Sequence, residues 1–160
     1  MRKYVVAAEN FLLGPTNFVV VALPEGWKLL RGASPPEVDS NRLFGDVQWV
    51  TSGRSPHLLI QPERRTGAEM RILVHRGRRP LEKLKASPGA RSFPVQSGHE
   101  AFLLLHQVRR GLWWGSVENG LRLAVFCDRT DRTITLEIAG RIGEAEIDEL
   151  LEALQGVECH

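Results

Sequence analysis

Two adjacent residues, Asn119-Gly120, constrain the second half of this chain more than any others. A two-residue type I′ turn needs positive φ at both central positions, which Asn and Gly tolerate best. Read as a hairpin turn, the pair sets Ser116 opposite Leu123, Trp114 opposite Val125 and Leu112 opposite Cys127. A second turn around Arg129 to Arg132 sets Cys127 opposite Ile134, Val125 opposite Leu136 and Leu123 opposite Ile138. Strand side chains alternate with period two, so both turns predict one core face: Leu112, Trp114, Leu123, Val125, Cys127, Ile134, Leu136 and Ile138. Cys127 is expected to be buried.

The other face carries Trp113, Arg122, Ala124, Phe126, Thr133, Thr135 and Glu137, apolar at one side and polar at the other, so partial cover is expected. The run Glu144 to Gln155 reads as a helix whose Ile147, Leu150, Leu151 and Leu154 recur at i, i+3, i+4 and i+7. Glu144, Glu146 and Asp148 suit the positive end of its dipole, and Gly156 is placed to end it. This helix is expected to cover the core face of the sheet.

Earlier in the chain, strands are expected at Lys3 to Ala8, Asn17 to Leu23, Val47 to Thr51, His57 to Gln61, Glu69 to Arg76, Phe93 to Gln96 and Ala101 to Val108. Arg31 to Asp46 and Ser87 to Ser92 read as loops, and Pro80 to Ala86 as a short helix with Pro in its first turn. The predicted class is α+β: a mainly antiparallel twisted sheet, a C-terminal amphipathic helix on one face and a short helix elsewhere. Residues 1–160 are expected to form a single domain, since a chain of this length with 42% hydrophobic residues can bury a core without disulfides or metal.

The segment Asn17-Phe18-Val19-Val20-Val21-Ala22-Leu23-Pro24-Glu25-Gly26-Trp27, a central region, three consecutive antiparallel strands and a closing amphipathic helix together resemble the PsbP-like fold family. That family holds the photosystem II extrinsic protein PsbP and a small Ran-binding import adaptor. The resemblance implies that fold, and a role in binding partners rather than in catalysis. None of the family's functional residues can be matched to a position here.

Charge divides the chain. Between Arg54 and Arg110 twelve Lys or Arg face four acids, Glu63, Glu69, Glu82 and Glu100, whereas from Gly111 onward four Arg face ten acids. Such a dipolar surface favours steered or head-to-tail association. If Arg64, Arg65, Arg76, Arg78 and Arg79 converge on one face, that face would suit nucleic acid or another polyanion. Solvated strand-edge charge, which guards against unwanted pairing, explains the same residues without a ligand.

Cys127, Cys159, His160 and one of His99 or His106 are the candidate ligands of a metal site, and Cys127 and Cys159 the candidates for a disulfide, although no CxxC or HxxxH spacing accompanies them. Ordinary buried thiols are the simpler reading. No Gly-x-Ser-x-Gly elbow, phosphate-cradling loop, His-Glu-x-x-His or dinucleotide fingerprint is present, so no catalysis and no cofactor are expected. Trp113 beside Phe126 would form an apolar patch for a partner, unless another segment covers it.

The opening Met1-Arg2-Lys3 would suit a secretory signal, but Glu9 and Asn10 interrupt the apolar run from Tyr4 to Ala8, and a cytoplasmic protein is expected. All basic residues but Lys3, Lys28, Lys83 and Lys85 are Arg, a bias that a thermophile or GC-rich codons would each produce. These observations point to a non-catalytic binding or adaptor module that engages a protein partner or a second copy of itself, without a membrane. Two alternatives stay open: a basic-surface binder of nucleic acid or other polyanion, and a small metal-binding protein using Cys127, Cys159 and His160.

Overall fold

The computed structural model describes residues 2–10, 14–29, 48–51, 57–62, 68–110 and 116–159. The expected loop at Arg31 to Asp46, and Arg64, Arg65, Leu112, Trp113, Trp114 and His160, lie outside the described residues. Among the described residues, ten strands and two helices form an α+β fold: β1 (Arg2–Asn10), β2 (Gly14–Leu23), β3 (Trp27–Leu29), β4 (Gln48–Thr51), β5 (His57–Pro62), β6 (Glu69–Arg76), α1 (Arg79–Lys85), β7 (Arg91–Ser92), β8 (Glu100–Arg110), β9 (Ser116–Cys127), β10 (Arg132–Gly140) and α2 (Glu144–Leu154).

The strands make two sheets, not one. A seven-stranded antiparallel sheet runs β3-β5-β6-β10-β9-β8-β7, and a three-stranded sheet runs β2-β1-β4 with β1 and β4 parallel. One buried cluster joins them: Tyr4, Val6, Val19, Val21 and Leu23 from the smaller sheet, Met70, Ile72, Leu123, Val125, Ile134 and Leu136 from the larger, and Leu150 and Leu154 from α2. The C-terminal helix covers the core face as expected, and the N-terminal hairpin shares that cover. Each large apolar side chain buried in this way contributes about 1.5–3 kcal/mol.

Asn119-Gly120 does not turn. Both residues lie inside β9, which pairs with β8 without interruption from Glu100↔Phe126 to Arg110↔Ser116. The local preference of Asn-Gly is outweighed by the ladder of eleven pairs that β9 makes with β8. Gly120 has another use, since a Cβ there would lie 2.5 Å from His106 Nε2 on the neighbouring strand. The β9–β10 turn occupies Asp128 to Asp131, with Asp131 at φ 48°, and pairs Cys127 with Arg132 and Val125 with Ile134. That register is two residues from the expected one, and an even shift preserves the face. Leu123, Val125, Cys127, Ile134, Leu136 and Ile138 are accordingly all buried.

The remaining differences are local. Phe93 to Gln96 is irregular rather than strand, although Phe93 and Val95 are buried, and the short strands β3 and β7 were not expected. In α2, Leu150, Ala153 and Leu154 are buried while Ile147 and Leu151 pack partly against the core. Glu146 accepts a hydrogen bond from the Gly143 amide at its start, and the Gly156 amide donates to Ala153 at its end. Beyond α2 the chain turns back along β2, where Val20 and Glu158 exchange backbone hydrogen bonds of 2.8 and 3.0 Å.

Candidate functional site

The second face of the large sheet carries α1. In its sequence Arg79-Pro80-Leu81-Glu82-Lys83-Leu84-Lys85 the buried residues are Leu81 and Leu84. These two leucines form a second cluster with Ala124, Phe102, Leu104 and Phe126. Phe126 thus packs beneath the short helix, and the Arg78 guanidinium lies 4.8 Å from its ring centre. Lys85 covers Phe102 in the same way at 5.2 Å.

Side chains four apart share a helix face, and α1 sorts its charges by this rule. Along one flank Arg78 pairs with Glu82 at 2.8 Å and with Glu100, which also takes Lys85 at 3.3 Å. Burial works against the Glu100 charge, but the hydrogen bonds from Arg78 and Lys85 outweigh it and hold that carboxyl below the usual range. Along the other flank Arg79 and Lys83 face a cleft of about 480 Å³ between α1 and the sheet. Leu73, Pro80 and Leu84 give the cleft an apolar floor, and His75, Ser87, Arg122, Thr135 and Glu137 complete its wall. Glu137 is the one acid of the lining, and Arg122 holds it at 2.9 Å. His75 and Thr135 share a hydrogen bond of 3.0 Å between neighbouring strands.

The cations predicted from sequence are therefore divided. Arg79 lines the cleft and Arg78 is engaged with Glu82 and Glu100 on the far flank, while Arg76 is exposed at the end of β6. Lys83 and Arg122 were not among the expected binding residues. The i, i+4 spacing of Arg79 and Lys83 carried a signal for the first, whereas Arg122 joins them only through the register of β9 with β10 and of β10 with β6.

At the other side of the sheet Cys127 and Cys159 are both buried and are not joined by a disulfide. The pairing of Glu158 with Val20 carries Cys159 inward, as the apolar Val157 and the helix-ending Gly156 foreshadow. Burial pushes the Cys159 thiol up to about 12, and the neighbouring Cys127 adds to the shift. Among the described residues, no helix is long and apolar enough to cross a membrane.

No protein-family model and no curated protein matches the sequence. Among solved structures, a protein from Bacteroides thetaiotaomicron superposes with a TM-score of 0.57 at 10% identity, over 89% of this chain and 45% of that one. Looser superpositions are found on the Ran-binding protein Mog1p of Saccharomyces cerevisiae, with TM-score 0.46, 10% identity and cover of 88% and 89%. A mutant of protein Mog1 gives 0.47, 11%, 99% and 96%. The chain thus spans less than half the length of the Bacteroides protein, and its likeness to that protein is one of fold alone.

Proposed function

We propose that the chain is a non-catalytic binding module that receives an acidic segment of a protein partner in the cleft beside α1. The observation that supports this reading is the composition of the cleft: Arg79 and Lys83 flank an apolar floor, and Glu137, the one acid among the described lining residues, is already paired with Arg122. An occupant with carboxylates and one or two apolar side chains complements both parts. Extended polyanion binding finds less support, because Arg78 and Lys85 are committed to Glu82 and Glu100. The exposed acids of α2, Glu144, Asp148, Glu149 and Glu152, would give a second copy the same complementary chemistry.

Titration of the protein with a labelled peptide of alternating Glu and Leu, and with a single-stranded oligonucleotide of equal length, tests the reading. The peptide is expected to bind more tightly at low salt than at high salt and to shift the amide resonances of Arg79, Lys83 and Arg122. The double variant Arg79→Glu, Lys83→Glu is expected to weaken it about tenfold or more, equivalent to about 1.4 kcal/mol. Tighter binding of the oligonucleotide would favour the polyanion reading, concentration-dependent association without either ligand would favour a second copy, and no binding at low salt would refute the cleft as an anion site.

A further inference from the structure

Among the described residues, metal-binding side chains come together where β8 begins and β9 ends. Gly98 takes φ 74°, a left-handed conformation open to glycine, and turns the chain into β8. The β8–β9 register pairs Glu100 with Phe126, and one further step brings His99 alongside Cys127. Asp128, the next residue, opens the turn to β10. One nitrogen of His99, the Cys127 sulfur and one Asp128 carboxylate oxygen all lie within 4.8 Å of one another. His99 Nδ1 is 3.5 Å from Asp128 Oδ1.

We propose that His99, Cys127 and Asp128 form a binding site for a thiophilic divalent cation of the zinc type. The donor set is one that such an ion prefers, a thiolate, an imidazole and a carboxylate, with bonds of about 2.0–2.3 Å. Ligands at those lengths around a tetrahedral ion stand roughly 3.5 Å apart, so no separation among the three donors needs to close by more than about 1.3 Å. The cluster also has an inside and an outside. Cys127 is fully buried and His99 nearly so, whereas the Asp128 side chain is 78% exposed. An ion arriving from solvent would meet the carboxylate first and the thiol last. Binding transfers the Cys127 thiol proton to solvent and leaves a thiolate on the ion. With three protein ligands the fourth position belongs to water, and Cys159, although buried nearby, is not part of the group. The site thus keeps Cys127 and His99 of the sequence expectation and has Asp128 in place of Cys159 and His160. It spans the junction of two strands with a turn, so an ion there would fasten the β9–β10 turn to the start of β8.

Cobalt(II) reports such a site directly. Added to metal-depleted, reduced protein, Co²⁺ is expected to produce a thiolate-to-metal charge-transfer band that saturates at one ion per chain and is abolished by Zn²⁺. Because Asp128 is exposed, Asp128→Ala leaves the core intact, and it and His99→Ala are each expected to weaken Co²⁺ binding by about tenfold or more, the least that even loss of an outer-shell partner produces. Cys159→Ser is expected to keep the band and Cys127→Ser to lose it. Absence of the band at stoichiometric Co²⁺, or a band of unchanged affinity in both Asp128→Ala and His99→Ala, overturns the proposal whatever the stability of the Cys127 variant.

Discussion

Replacing Leu81 by Ala tests whether α1, and with it the cleft, stands on two side chains. A helix of seven residues does not hold itself in water. Its docking rests on Leu81, which is fully buried, and Leu84, which is 3% exposed. Ala is at least as good a helix former as Leu, so any loss in Leu81→Ala comes from docking and not from intrinsic helicity. Buried Leu→Ala changes cost about 2–5 kcal/mol, and a short surface helix that can settle onto the sheet belongs near 2. A loss of that size shifts the opening equilibrium of α1 about thirtyfold, while openings that do not involve α1 are unaffected. Native-state hydrogen exchange reads this at the amides of Glu82 and Ala86, which donate to Arg78 and Glu82. Both are expected to exchange about thirty times faster, with Leu123 and Leu136 in the paired strands β9 and β10 little changed. Equal acceleration in α1 and in the strands would refute the argument, because α1 would then open only with the whole fold.

The thiol of Cys159 is held neutral in the folded chain at about 12, above its ordinary 9.0, so the stability this burial contributes is complete below about pH 9 and is lost as pH rises toward 12. Urea unfolding at pH 8 and pH 10 is expected to show the stability difference between the chain and its Cys159→Ala variant narrowing at the higher value; a constant difference would count against the burial. Glu100 has the opposite sign: its folded value lies below the ordinary 4.5, so its contribution is present above that pH and declines as pH falls through the folded value. Thermal unfolding from pH 6 to pH 3 is expected to show a smaller acid-induced loss in Glu100→Gln than in the parent chain.

What the sequence made legible was parity. Both ends of β9 and β10 could be misplaced by two residues without moving any side chain to the wrong face, so the burial of Cys127, Val125, Ile134 and Leu136 follows from alternation alone. Strand β6 and the two helices were legible for the same reason, since their periodic apolar positions lie within one segment. Asn119-Gly120 misled because a turn preference is local, while the pairing of β8 with β9 that overrides it spans a long stretch of both strands. The division into two sheets depends on contacts between Tyr4 or Val21 and residues more than a hundred positions away, and no window of sequence carries those. The cleft was half legible: Arg79 and Lys83 share a helix flank, but Arg122 and His75 reach it from separate strands. The cluster at His99 was legible in part: Cys127 with His99 or His106 was among the expected metal ligands, but strand register brings His99 and not His106 to Cys127, and nothing in the sequence marked Asp128.

The hydrogen bonds between Val20 and Glu158 also have a kinetic consequence. Contacts between residues so far apart in sequence form late, since the chain entropy lost in closing the loop precedes any gain. The hairpin β1–β2 alone is a marginal structure in water, and its Val19 and Val21 belong to a buried cluster that Leu154 and Val157 complete. Folding should therefore begin in the β8–β9–β10 meander, with the N-terminal strands joining last, on a timescale of roughly milliseconds to seconds. During synthesis those strands emerge first and wait longest, which makes β2 the segment most exposed to misassembly before the chain is complete.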